Sequence, residues 1–129
     1  MLDWMENELK SEVNPKRKFI ISDHMYAGSR FKANQLWHKA PRNRYFQILR
    51  DNASKVSIEI VGHDHIADIR YHSSEKVPDM DETESKFDFH NYFVAPGITP
   101  EKGNNPGVAM LEFTEDGVPS NLQMEFINL

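Results

Sequence analysis

Cysteine is missing from this chain altogether. Its absence excludes disulfide staples, thiolate catalysis and cysteine-ligated zinc, while leaving the compartment open. Clustered positive charge is missing too: 15 Lys and Arg residues are scattered among 20 acidic ones, for a net charge of −5. A nucleic-acid surface needs a basic stripe, so that partner class is set aside. No apolar run approaches the length of a membrane span, and the opening MLDWMENELK is charged throughout. Neither a span nor a signal peptide is expected within the chain as written. At 129 residues, a single domain with one core is expected.

What is present is a layered alternation of elements. Leu2, Met5 and Leu9 recur at helical spacing behind early acidic residues, predicting an amphipathic helix to about Glu12 that Asn14-Pro15 ends. Lys18–Ser22 is a nearly continuous apolar run, predicting a short strand buried on both faces. The stretch from Met25 to Pro41 has no clear period and reads mostly as loop. From Arg42, the residues Tyr45, Ile48, Leu49 and Asn52 recur at three and four and predict a second helix. Val56, Ile58 and Ile60 alternate with polar residues as a second strand ending at Gly62, and IADIRYH reads as a third. Residues 73–88 are acidic and poor in aliphatics, a solvated loop within the domain. YFVAPGITP follows. Then comes a hairpin pattern with Asp116-Gly117 at the turn and Leu122, Met124 and Phe126 alternating beyond it. The whole predicts an α/β domain whose sheet is extended by C-terminal hairpin strands.

The candidate chemistry lies in histidines. Gly62-His63-Asp64-His65 stands at the end of the second strand, and an extended His-x-His would put both imidazoles on one side of the backbone. Gly62 beside them would allow a sharp turn and close approach of an ion. Converging neutral imidazoles suit zinc, iron, manganese or nickel. His24 also follows an apolar strand directly. If the two strands are parallel neighbours joined by a crossover, His24 meets His63 and His65 at one sheet edge. In that extended geometry Asp64 points away from the histidines, facing solvent or steadying a ligand from behind. Asp23, His38, His72 and His90 read as structural or surface residues, and Trp4 and Trp37 as packing residues.

Three segments taken in order resemble the calcineurin-like metallophosphoesterases, in the branch similar to acid sphingomyelinase. They are DHMYAG after the first strand, Gly62-His63-Asp64-His65 after the second, and FVAPGITPEKGNNPGVAMLEF further on. The resemblance covers nearly the whole chain. It implies the C-terminal half of a four-layer α/β/β/α metallophosphoesterase sandwich with a mixed sheet, so that residues 1–129 form one partial domain. It also implies that His24 and His63 ligate one divalent metal ion and His65 a second, the pair being Zn, Mn or Fe in the family. The reaction implied is phosphoester hydrolysis, of a phosphodiester or a phosphomonoester, by water activated between two metals. Tyr26 and Arg30, following His24, are the positions where substrate contacts are expected, Arg30 as a phosphate partner.

The same resemblance exposes a deficit. The family's Asp-x-His, Gly-Asp and Gly-Asn-His motifs, the last carrying its catalytic histidine, have no counterpart in a suitable place. Asp88-Phe89-His90 fits the first only literally, and Gly103-Asn104-Asn105 lacks the histidine. An incomplete catalyst is therefore expected, holding metal poorly or not at all by itself. Its exposed sheet would be covered by self-association or by a partner. Two other readings stand beside it. One is a catalytically dead relative acting as a structural or interaction subunit; the other is a small mononuclear metal protein using His63, His65 and one further ligand. The branch is often secreted or lysosomal, and any leader would lie upstream of Met1.

Overall fold

A computed structural model describes residues 1–27, 36–72, 90–100 and 103–128. The elements run α1 (Leu2–Ser11), β1 (Phe19–Ser22), α2 (Lys39–Asp51), a short 3₁₀ turn (Ala53–Lys55), β2 (Val56–Val61), β3 (Asp68–His72), β4 (His90–Val94), β5 (Gly107–Phe113) and β6 (Pro119–Phe126). Four strands form a mixed sheet in the order β1-β2-β4-β3, and β5 and β6 form a separate antiparallel pair. The chain is thus mixed α/β, but the C-terminal hairpin forms its own sheet and does not extend the main one, as its pattern had suggested. No helix among the described residues is long and apolar enough to cross a membrane.

The second helix begins earlier than its periodicity suggests, at Lys39, and takes Pro41 into its first turn. Proline is tolerated there because that N–H has no intrahelical acceptor to lose. Tyr45, Phe46 and Leu49 form the buried stripe of α2, joined by Ala27 and flanked by Leu2, Met5, Ile21 and Val56. Each such side chain taken out of water stabilises the fold by about 1.5–3 kcal/mol. Across this helical interface Arg44 is paired with Glu6, which Lys10 also contacts at 2.7 Å.

Register assigns the sheet's two faces. Ile21, Glu59, Tyr92 and Arg70 lie in one row, with Ile21 in the cluster packed against α2. Ile20 and Ile58, then Ile60, Phe93 and Ile69, occupy the opposite face. That face looks toward the hairpin, and a cleft of about 310 Å³ between them is lined by Ile58, Ile69, Phe93, Leu111 and Leu122.

Two expectations need correcting. The β1 run is not buried on both faces: it is a sheet edge among the described strands, and Ile20 stays 50 % exposed. β2 departs from simple alternation in the other direction. It lies between β1 and β4, and its Glu59 is 1 % exposed, buried beside Tyr45. A central strand covered on both faces buries whatever its register dictates. The acidic loop 73–88 lies outside the described residues.

Candidate functional site at the ends of β1 and β2

β1 and β2 are parallel, and their ladder continues beyond the strands: Asp23 N–H donates to the Ile60 carbonyl and Gly62 N–H to that of His24, both at 3.1 Å. The segment after each strand therefore leaves the same edge of the sheet. His24 and His63 meet there, His24 Nε2 lying 3.2 Å from His63 Nδ1 with the rings edge to face at 82°. His24 is exposed and His63 half-buried, so the pair opens to solvent. The Asp23 carboxylate accepts the backbone N–H of His24 at 2.6 Å, a local brace for the segment.

The turn itself differs from the extended His-x-His geometry. His63 and His65 both have left-handed backbones, with φ of 71° and 55°. Gly62 has no positive φ, and a Cβ built on it would meet only ordinary contacts, the closest 3.8 Å away. The reversal is thus made by the histidines, and it sends them to different places. His63 turns toward His24. His65 packs under Gly97, where an added Cβ would lie 2.6 Å from the imidazole Cγ. Gly97 is the residue that sequence reading passed over; its signal was a glycine in the APG stretch that no turn required.

Asp64 points inward. Only 3 % exposed, its Oδ2 accepts a hydrogen bond from the Tyr26 hydroxyl at 2.9 Å. Arg70 donates to the same hydroxyl from Nη1 at 2.7 Å and to Asp68 from Nε at 2.6 Å, and its guanidinium lies over the Tyr26 ring at 5.1 Å. Tyr26 stacks in turn on Tyr92 at 5.2 Å. Burial, reinforced by the Asp64 hydrogen bond, pushes the Tyr26 hydroxyl above its ordinary range and keeps it a donor. Burial pushes Tyr92 up to about 12, against the opposing charge of Arg70, and Tyr45 higher still with Glu59 nearby. Burial works against the charge on Arg70, but its bonds to Asp68 and Tyr26 raise its pKa overall. The placement of Tyr26 in a substrate cleft is not what its environment provides: its ring is fully buried and supports the turn from beneath. Arg30 lies outside the described residues.

The His24–His63 spacing bears on metal binding directly. Two imidazole nitrogens about 2.0–2.1 Å from one zinc are roughly 3.4 Å apart at the tetrahedral angle, close to the separation here. The pair therefore fits two adjacent positions on a single ion, or a ring-to-ring hydrogen bond in its absence. Among the described residues no three His, Cys, Asp or Glu side chains gather as a metal cage, and the carboxylates nearest in sequence, Asp23 and Asp64, are engaged elsewhere. The described residues bring together two imidazole nitrogens; they do not supply the bridging carboxylates of a two-metal centre. No family model matches the sequence, and no curated protein matches it significantly.

Proposed function

We propose that this chain carries part of the metal site of a metal-dependent phosphoester hydrolase, with His24 and His63 as paired ligands of one divalent ion. The observation that carries the reading is the delivery of two ring nitrogens, on histidines 39 residues apart in sequence, to 3.2 Å beyond the ends of two parallel strands. A bound ion would supply Lewis acidity to a phosphoester oxygen and acidify a water. The histidines' part is to present neutral nitrogens at the open sheet edge. Further positions on the ion fall to solvent, substrate oxygens or groups outside the described residues. His65, seated under Gly97, is the proposed ligand of the second ion in a completed dinuclear site. On this reading the fold is the C-terminal part of a metallophosphoesterase sandwich, the hairpin sheet facing the main sheet as its second β layer.

The test is metal content by mass spectrometry after chelator-free purification, paired with hydrolysis of bis(p-nitrophenyl) phosphate in added zinc or manganese. Uptake of added zinc by wild type, lost in both His24→Ala and His63→Ala, is expected. Metal-free protein that also takes up no added zinc overturns the reading. It would favour the alternative of a dead relative kept as an interaction subunit, which the exposure of Ile20 (50 %), Ile69 (63 %) and Phe126 (50 %) on the sheets also suits.

A further inference from the structure

We propose that Tyr26 and Asp64 are positioning residues, whose buried hydrogen bond locks the segment after β1 to the turn after β2 and thereby sets the separation of His24 and His63. The inference takes that histidine pair as the site proposed above. It rests on where the two partners sit in the chain. Tyr26 is two residues beyond His24, and Asp64 is the residue immediately after His63, so one bond at 2.9 Å joins positions within two residues of each histidine. The segment between is held as well: Trp37 Nε1 donates to the carbonyl of Met25 at 2.9 Å. Apart from the ladder bonds to Ile60 and Gly62, His24 lies on an exposed segment, and His63 occupies a left-handed backbone that is uncommon for a residue with a Cβ.

Burial direction makes the same point. Of the three residues His63, Asp64 and His65, it is the carboxylate that goes inside, onto Tyr26 with Arg70 behind it. Anchoring the middle residue turns His63 toward His24 and seats His65 under Gly97. A buried ionised carboxylate is costly unless well paired, and an apolar residue would fill such a space at lower cost. What the carboxylate adds is direction: the hydroxyl it accepts from belongs to the His24 segment. Supporting groups of this kind orient metal-binding histidines, and their loss typically weakens metal affinity about 10–100-fold.

The experiment compares wild type with Tyr26→Phe, Asp64→Ala, Asp64→Asn and Tyr45→Phe. Tyr45 is a buried tyrosine on α2 outside this tie, so its variant measures ordinary core damage. The readouts are the ring-to-ring nuclear Overhauser effect between His24 and His63 in the metal-free protein, and zinc affinity by calorimetry. The ring contact should be present in wild type and Tyr45→Phe and lost in Tyr26→Phe and Asp64→Ala. It should be restored in Asp64→Asn, whose amide oxygen can still accept from Tyr26. Zinc affinity should fall about 10–100-fold in the same two variants. If Asp64→Ala does not fold, Tyr26→Phe and Asp64→Asn still decide. A ring contact that survives Tyr26→Phe, or that wild type itself lacks, overturns the proposal. If wild type shows the contact but binds no zinc, the metal reading fails, and the ring contacts alone decide the positioning role.

Discussion

Two of the chain reversals among the described residues pass through the left-handed region with opposite residues. In the hairpin, Gly117 takes φ +72° and its N–H donates to the Thr114 carbonyl at 2.9 Å, while Thr114 N–H donates to Val118 at the same distance. At the end of β2, His63 and His65 take φ of 71° and 55°. Glycine enters this region freely; a residue with a Cβ pays roughly 1–2 kcal/mol. The hairpin needs only a shape, and glycine supplies it. The β2 turn carries imidazoles through the same region, and the strain is offset by Asp64, Tyr26, Arg70 and the space at Gly97.

Alkali should separate the two regions most broadly. Tyr26, Tyr45 and Tyr92, all raised, lie beneath the β2 turn and its sheet, whereas β5 and β6 contain no tyrosine. A raised folded pKa means that the folded form keeps its proton where the unfolded chain has released it. The stability contributed is complete below about pH 10 and is lost as pH rises through about 12, where Tyr92 ionises. Phenolate absorbance from these three tyrosines should therefore rise in one steep step that coincides with loss of far-ultraviolet ellipticity. A smooth titration near pH 10 that leaves the fold intact would contradict the buried network.

Within the β2 turn, Asp64→Ala should cost most, about 3 kcal/mol in urea unfolding, because it leaves the buried Tyr26 hydroxyl without its acceptor and removes a carboxylate 4.0 Å from the Arg70 guanidinium. Next comes Gly97→Ala. Its Cβ would sit 2.6 Å from Cγ of His65, at the root of that side chain rather than its flexible end. About 2 kcal/mol is expected. If Gly97→Ala unfolds at the wild-type midpoint, His65 does not pack where it is described. Gly117→Ala in the hairpin should cost about 1 kcal/mol from backbone conformation, since its nearest neighbour, Lys18 Cγ at 3.0 Å, belongs to a side chain that can move aside.

The same contrast explains what could be read from the sequence. The helix of α2, the hairpin about Gly117, and the two strands ending in histidine were legible, because each follows from local periodicity or a turn residue. The parallel pairing that joins His24 to His63 followed from crossover geometry. The turn between His63 and His65 did not follow. Extended geometry was the natural reading of His-x-His, and it failed because the deciding partner of Asp64, Tyr26, lies 38 residues away. Burial of Glu59 and the exposed face of Ile20 were hidden for the same reason. They depend on which strand is central and which is at the edge, and periodicity does not encode that order.

The smallest effect is the sharpest comparison. His63→Gly should remove the left-handed penalty while adding freedom to the unfolded chain, and the two terms are of similar size. Its unfolding free energy should fall within about 0.5 kcal/mol of wild type, while zinc uptake is lost. His63→Val, β-branched and unsuited to positive φ, should lose about 1–2 kcal/mol at the same position. If His63→Gly instead costs as much as His63→Val, the histidine is there for packing and the turn resembles any other structural bend. If glycine is tolerated for stability and not for metal, the imidazole is kept at a strained position for what its nitrogen does.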